Sequence, residues 1–299
     1  PIISSMVNQF GKWLDISSDL SWREPISSLN ILLTSVVWRQ DHNGFTHQDP
    51  GFINSIVDKW PNVVRLYFPP DANTLIHTMD ICFKSTNRIN IVIIDKQKHI
   101  QYLPPKKAFE HAVKGIGIWD FASSNMDTEP DVVIASCGDI PTKEAVAASL
   151  MLREFFPELS IRFVNVVNLF RLTPDTEHPD GLLIHRLTYR RSNHSNIHVR
   201  GYRENRKTGI DAFYLTPFLK GRGGITTPMQ LAILNQIDRF SIAMDVIDRV
   251  DKICNRSGWI KDKLKNMQIE VLKYSFENGT DPDEYSDENF FVKFEKAWR

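Results

Sequence analysis

Residues 63–68 and 89–94 are short, mostly apolar runs, and residues 72–83 between them carry apolar side chains at helical spacing. A run of that length is too short for a stable helix. It also lacks the strict alternation of a strand with one wet face. It fits a parallel strand covered on both faces. Asp71 follows Pro69-Pro70 and is placed to cap the helix beginning at Ala72. Upstream, residues 28–38 form another apolar run with a buried-strand character, and residues 52–60 have a helical pattern. The order is therefore strand, helix, strand, helix, strand. It is preceded by a helix with apolar residues at Ile3, Met6, Val7, Phe10, Trp13 and Leu14.

A second set repeats the logic. Residues 106–121 read as a helix, 131–137 as a strand, 142–156 as a helix and 160–167 as a strand. Helices are expected again at 228–237, 239–250 and 260–276. Residues 96–105 are polar and contain proline, as a linker would. The expected fold class is α/β, with two three-layer α/β/α units and mostly parallel sheets. A chain of 299 residues is long enough for two cores. The expected division is 1–97, a linker at 98–105, and 106–299.

Charge and cysteines narrow the function classes. Thirty-six basic residues balance 36 acidic ones, so no net field draws the chain to nucleic acid or to an acidic membrane surface. The apolar runs are far shorter than the ~20 residues that span a bilayer. Nothing at the start of the sequence has the pattern of a secretory signal. Cys82, Cys137 and Cys254 are odd in number and far apart, so neither a disulfide framework nor a zinc knuckle is indicated. A reducing, cytoplasmic compartment is expected. The first residue is Pro1 rather than methionine, which suggests a piece of something longer.

The densest polar cluster follows the first strand: Gln40, Asp41, His42, Asn43, Thr46, His47, Gln48 and Asp49. Ligands of open α/β sheets bind at the carboxyl ends of strands. Histidines there exchange protons near neutral pH, and amides hold hydroxyl or phosphate oxygens. The plainer reading is a hydrogen-bonded turn around Asn43-Gly44. A five-residue spacing between His42 and His47 suits no zinc site. Arg186, Arg190, Arg191 and Arg200, with His185, His194 and His198, make a basic segment short of the aromatics that nucleic-acid binding needs. Packing at an interface suits it better. Cys137 reads as a buried core thiol and His77 as a structural histidine.

The run Trp38-Arg39-Gln40-Asp41-His42-Asn43-Gly44-Phe45-Thr46-His47-Gln48-Asp49-Pro50-Gly51 resembles the phosphoketolase family. Later blocks agree in order: Tyr67 to Asn73, Lys96-Gln97, Gly115 to Trp119, Val164 to Leu169, Leu183 to Arg191, Thr226 to Pro228 and Asp245 to Arg249. The resemblance implies a thiamine-diphosphate, Mg2+-dependent aldehyde-lyase of carbohydrate metabolism. Such enzymes cleave xylulose 5-phosphate or fructose 6-phosphate with inorganic phosphate. The products are acetyl phosphate and glyceraldehyde 3-phosphate or erythrose 4-phosphate. It implies transketolase-like units, the first truncated: residues 1–97 as the later part of the pyrimidine-binding domain and 106–299 as the C-terminal domain. It implies a homodimer or higher homo-oligomer for the full-length enzyme, with no nucleic-acid or membrane partner.

By the same resemblance His42 and His47 are the catalytic pair, meeting the sugar hydroxyls and the cofactor-bound intermediate. Gln40, Asp41 and Asn43 hold substrate, and Lys96 offers its charge to phosphate. Dehydration of a two-carbon intermediate needs proton donors, and phosphate needs a cation and amides. The family's activating glutamate and its diphosphate–metal motif, Gly-Asp-Gly with a later Asn, fall upstream of this region. Gly138-Asp139-Ile140 with Asn165 imitates that motif but lacks the third glycine, so it reads as a strand-to-helix turn. No residue is expected to bind cofactor or metal. Two departures stand out: a family stretch missing between Gly181 and Leu183, and an apparent insertion at 207–222. The alternative reading is a non-catalytic remnant or regulatory module that binds a full-length phosphoketolase.

Overall fold

The computed structural model describes residues 2–34, 52–53, 56, 59–182, 197–198, 226–255, 257–286 and 289–290. The chain opens with helix α1 (Ile2–Ser18). Strands β1 (Leu29–Leu33), β2 (Val64–Tyr67) and β3 (Ile89–Ile93) form a parallel sheet in the order β1-β3-β2, and helix α2 (Ala72–Lys84) connects the last two. β3 is central and buried along its whole length, as its β-branched run requires. β1 departs from the buried strand expected at 28–38. Among the described residues it has β3 on one side only, and Leu29 and Leu32 stay exposed. Of the helix expected at 52–60, Phe52, Ile53 and Ile56 are helical and buried.

Asp71 caps α2 as its position suggested, accepting the Thr74 N–H at 2.8 Å. Its other carboxylate oxygen accepts the N–H groups of Tyr102 and Leu103 at 2.9 and 3.0 Å. The same segment buries Ile100, Tyr102 and Leu103, while Lys96, Gln97, Lys98 and Gln101 stay exposed. One short carboxylate thus fixes both the start of a helix and the strap that crosses it.

Helix α3 (Pro105–Lys114) ends sooner than the helix expected at 106–121. Gly115 adopts φ +71 and returns its N–H to the His111 carbonyl at 2.8 Å. The chain then turns into β4 (Ile116–Ile118). Glycine reaches that left-handed conformation without steric cost, and a helix stops there. β5 (Val132–Cys137), helix α4 (Asp139–Phe155), β6 (Ile161–Val166) and β7 (Ile197–His198) follow. The second sheet has the order β4-β6-β5-β7, with β4 antiparallel and the rest parallel. Helices α5 (Pro228–Leu234), α6 (Arg239–Arg249), α7 (Asp251–Cys254) and α8 (Gly258–Asn278) follow, and a short 3-10 turn at Asp283–Tyr285 comes after them.

A Cβ on Gly115 would lie 2.9 Å from the Asn168 Cβ and 3.1 Å from the Arg171 Cγ. Gly115→Ala is therefore expected to destabilise the chain by about 1–3 kcal/mol. Urea unfolding followed by circular dichroism checks this. An unchanged midpoint would show that the turn relaxes freely.

The two sheets are tied by polar groups as well as by a shared apolar core. Arg65 of β2 is almost fully buried, and its Nε lies 2.7 Å from the Asp180 carboxylate. Burial opposes ionisation of Asp180, but Arg65 outweighs it and holds the carboxyl below its usual range. His178 beside them is pushed down to about 4 by burial and by Arg65. It is therefore neutral at pH 7: Nδ1 accepts the Asp180 N–H at 3.0 Å and Nε2 faces the Val64 carbonyl at 3.3 Å. Its ring stacks on Phe170 at 4.0 Å.

Helix α1 is apolar on two faces. Val7, Gly11 and Leu14 are buried, and a side chain on Gly11 would meet the Trp60 ring at 2.6 Å. On another face Ile2, Met6, Trp13 and Ile16 are 49–75% exposed. A helix apolar on both sides is built to be enclosed on both sides.

Candidate functional site

The carboxyl ends of β1, β2, β3 and β5 lead to the site. β1 and β3 are parallel and in register, Leu33 beside Ile93, and the Ile94 N–H donates to the Leu33 carbonyl at 2.9 Å. The chain therefore leaves both strands at the same end of the sheet. From β1 it runs toward the cluster at 40–49, and from β3 directly into Asp95-Lys96-Gln97. Gln40, Asp41, His42, Asn43 and His47 lie outside the described residues, as does most of the basic segment at 185–200. Lys96 is described and exposed.

Lys96 sits on a turn wrapped around the Asp95 carboxylate. One Asp95 oxygen accepts the Gln97 N–H at 3.2 Å, and the other lies 3.1 Å from His99 Nε2. The Asp95 N–H donates to Asp139 Oδ2 at 2.6 Å. Asp139 is the first residue of α4, and its other oxygen accepts the Ile140 N–H at 2.7 Å. His99 Nε2 is also 3.7 Å from Asp139 Oδ2. Burial raises the Asp139 carboxyl above its usual range, against the pull of His99 and the two N–H bonds. The preceding Gly138 has φ +77, and its N–H donates to the Phe68 carbonyl at the end of β2. The ends of β2, β3 and β5 thus converge through Phe68, Asp95, Gly138 and Asp139.

The motif imitation at Gly138-Asp139-Ile140 is a strand-to-helix turn. Asp139 spends its oxygens on backbone N–H groups. Asn165 is buried in β6, bonded to His111 at 2.8 Å and to Thr142 at 3.0 Å. Both side chains are buried. Among the described residues no group of three or more His, Cys, Asp or Glu could hold a metal ion. Cys137 is buried, with its thiol pushed up by burial and then by Asp139, so it is no nucleophile at pH 7. His77 is half-buried and packs edge-on against Phe109 at 5.3 Å. Asp95, His99 and Asp139 were not legible as one cluster. The available signal was an aspartate closing an apolar strand and another opening a helix after a glycine.

Comparison with solved structures places the fold. A transketolase variant from Pichia stipitis superposes with a TM-score of 0.51, at 18% identity, over 75% of this chain and 30% of that chain. A second Pichia stipitis transketolase structure, in complex with xylulose 5-phosphate, gives 0.51 at 17% identity over 73% of this chain and 29% of that one. The architecture is therefore that of transketolase-like α/β units with parallel sheets. At the level of sequence, the model of D-xylulose 5-phosphate/D-fructose 6-phosphate phosphoketolase matches residues 1–85. The model of its C-terminal domain matches 96–183 and 182–290. A probable phosphoketolase of Synechocystis sp. is 52% identical over 307 residues, covering 95% of this chain and 36% of that protein. One from Synechococcus elongatus is 50% identical over 308 residues, covering 95% and 37%. One from Methylococcus capsulatus is 48% identical, covering 95% and 36%. The chain belongs to the phosphoketolase family, and it spans about a third of the length of these relatives. The two pieces of the C-terminal match meet at residues 182 and 183, where the missing stretch was expected.

Proposed function

We propose that these 299 residues form part of a phosphoketolase and act once the remainder of such a polypeptide is supplied. The reaction is cleavage of xylulose 5-phosphate or fructose 6-phosphate by inorganic phosphate, giving acetyl phosphate and a shorter sugar phosphate. The carrying observation is a match over 95% of the chain to relatives of which it spans only 36–37%. The second apolar face of α1 supports it, because an exposed stripe of that kind suits further polypeptide packed upon it. In this reading His42 and His47 handle protons at the sugar hydroxyls. Gln40, Asp41 and Asn43 hold substrate, and Lys96 draws in phosphate. The completed enzyme is a homodimer or higher homo-oligomer. The cytoplasm suits it: no helix of the described residues is long and apolar enough to cross a membrane, and all three cysteines are free.

Thiamine diphosphate and Mg2+ belong to this reading through the family. Asp139 and Asn165, which imitate the diphosphate–metal motif, do not fit them, since both are committed to internal bonds.

The test is reconstitution. The 299-residue chain is combined, as a fusion, with the portion of the Synechocystis relative that it does not match. Acetyl phosphate is then measured with fructose 6-phosphate, phosphate, thiamine diphosphate and Mg2+. The fusion is expected to turn over and the chain alone is expected to make none. A folded but inactive fusion would favour the non-catalytic module, and turnover by the chain alone would overturn the partial-enzyme reading.

A further inference from the structure

We propose that Asp139 is a positioning residue for Lys96: from the start of α4 it pins the turn that presents the lysine to phosphate. The proposal rests on the reading of Lys96 as a phosphate-binding residue. Lys96 is exposed and long, so its direction depends on the backbone beneath it. That backbone is held from both sides. Asp95 gathers the turn through its own carboxylate, with Gln97 N–H at 3.2 Å and His99 Nε2 at 3.1 Å. Its N–H is in turn anchored to the buried Asp139 carboxylate at 2.6 Å. The anchor is itself rigid, because Asp139 bonds the Ile140 N–H and follows Gly138, whose N–H is bonded to Phe68.

The bond joins the chain leaving β3 of the first sheet to the first residue of α4, which follows β5 of the second sheet. It gives the second sheet a task in a reaction whose other expected groups follow β1 of the first sheet in sequence. No described group of the second sheet is proposed to touch substrate. Its contribution is the geometry of a turn. Misplacing a binding group by about 1 Å can cost up to about 100-fold where alignment matters. A solvent-facing lysine acting as a point charge is more forgiving, so about tenfold in phosphate affinity is the expected scale.

Two measurements test the proposal. In the 299-residue chain, hydrogen exchange at the Asp95 to Gln97 amides is expected to speed up in Asp139→Ala and to recover in large part in Asp139→Asn, which keeps an acceptor oxygen. In the active fusion, Asp139→Ala is expected to raise the KM for inorganic phosphate about tenfold with kcat within about twofold, the pattern of lost binding alone. Asp139→Asn is expected to stay within about threefold of the parent, since one of the two acceptors remains. A purely structural role would move kcat, KM and the unfolding midpoint together, and that result overturns the proposal. Lys96→Ala serves as the control. If it raises the phosphate KM while Asp139→Ala does not, positioning is wrong and the lysine's role stands. If Lys96→Ala leaves the phosphate KM unchanged, the lysine's role falls and this proposal falls with it.

Discussion

Arg239→Leu is expected to cost the chain about 3–5 kcal/mol, because it strands a buried carboxylate. Arg239 and Glu144 are 5% and 1% exposed. The guanidinium grips both carboxylate oxygens, Nη2 to Oε1 at 2.6 Å and Nε to Oε2 at 2.9 Å, and the Arg239 backbone N–H adds a third bond at 3.0 Å. The rings of Tyr285 and Phe290 lie 5.2 and 5.4 Å from the guanidinium carbon. Urea unfolding of the chain measures the loss. The double variant Arg239→Leu/Glu144→Leu is expected to recover most of it, since an apolar pair leaves no charge behind. A single variant as stable as the parent would mean that water reaches Glu144 and that the site is looser than described.

The same pair has a pH signature. Burial alone would raise the Glu144 carboxyl, but Arg239 outweighs burial and holds it below the usual range. A depressed folded pKa gives stability that is complete above the ordinary carboxylate value and is lost as pH falls through the folded one. The parent is therefore expected to lose this contribution only below the ordinary carboxylate range. In Arg239→Leu the sign reverses. Burial then raises the carboxyl, and the variant's deficit shrinks as pH falls and the group takes up a proton.

The second large effect concerns rate rather than stability. His42→Ala in the active fusion is expected to slow acetyl phosphate formation by about 10²–10⁴-fold, the usual range for loss of a general acid or base. The unfolding midpoint is expected to stay within experimental error, because His42 lies in a run of polar residues rather than on an apolar face. Loss in kcat and kcat/KM together would assign the histidine to the transition state, and loss in KM alone would make it a binding group. Near-normal turnover would remove His42 from the site and leave His47 as the remaining histidine of the cluster.

The strands were readable because their patterns are local. Residues 63–68 and 89–94 became β2 and β3, and Asp71 became the cap of α2, since each depends only on neighbours in sequence. The error at 106–121 has a local cause too. Its apolar positions suit a helix until the backbone at Gly115 turns left-handed, and a lone glycine does not announce its φ. The segment 96–105, expected as a linker, is a different case. Its polar composition hid that Ile100, Tyr102 and Leu103 are buried and that Asp71, some thirty residues away, bonds two of their amides. The exposed side of β1 was equally hidden, because an apolar run does not say whether it is central or at an edge.

The family, the α/β class and the residues expected to touch substrate follow from the order of residues alone, because motif and period are properties of the chain. The convergence of Phe68, Asp95, His99, Gly138 and Asp139 does not. These residues come from strands far apart in sequence, and only packing decides that the end of one sheet meets the first turn of a helix on the other. Asp139 illustrates the difference. In the sequence it is half of a failed metal motif; in the fold its buried carboxylate holds the backbone that carries Lys96. A buried acceptor bonds whichever donors the tertiary structure brings within about 3 Å, and spacing in sequence carries no record of that choice.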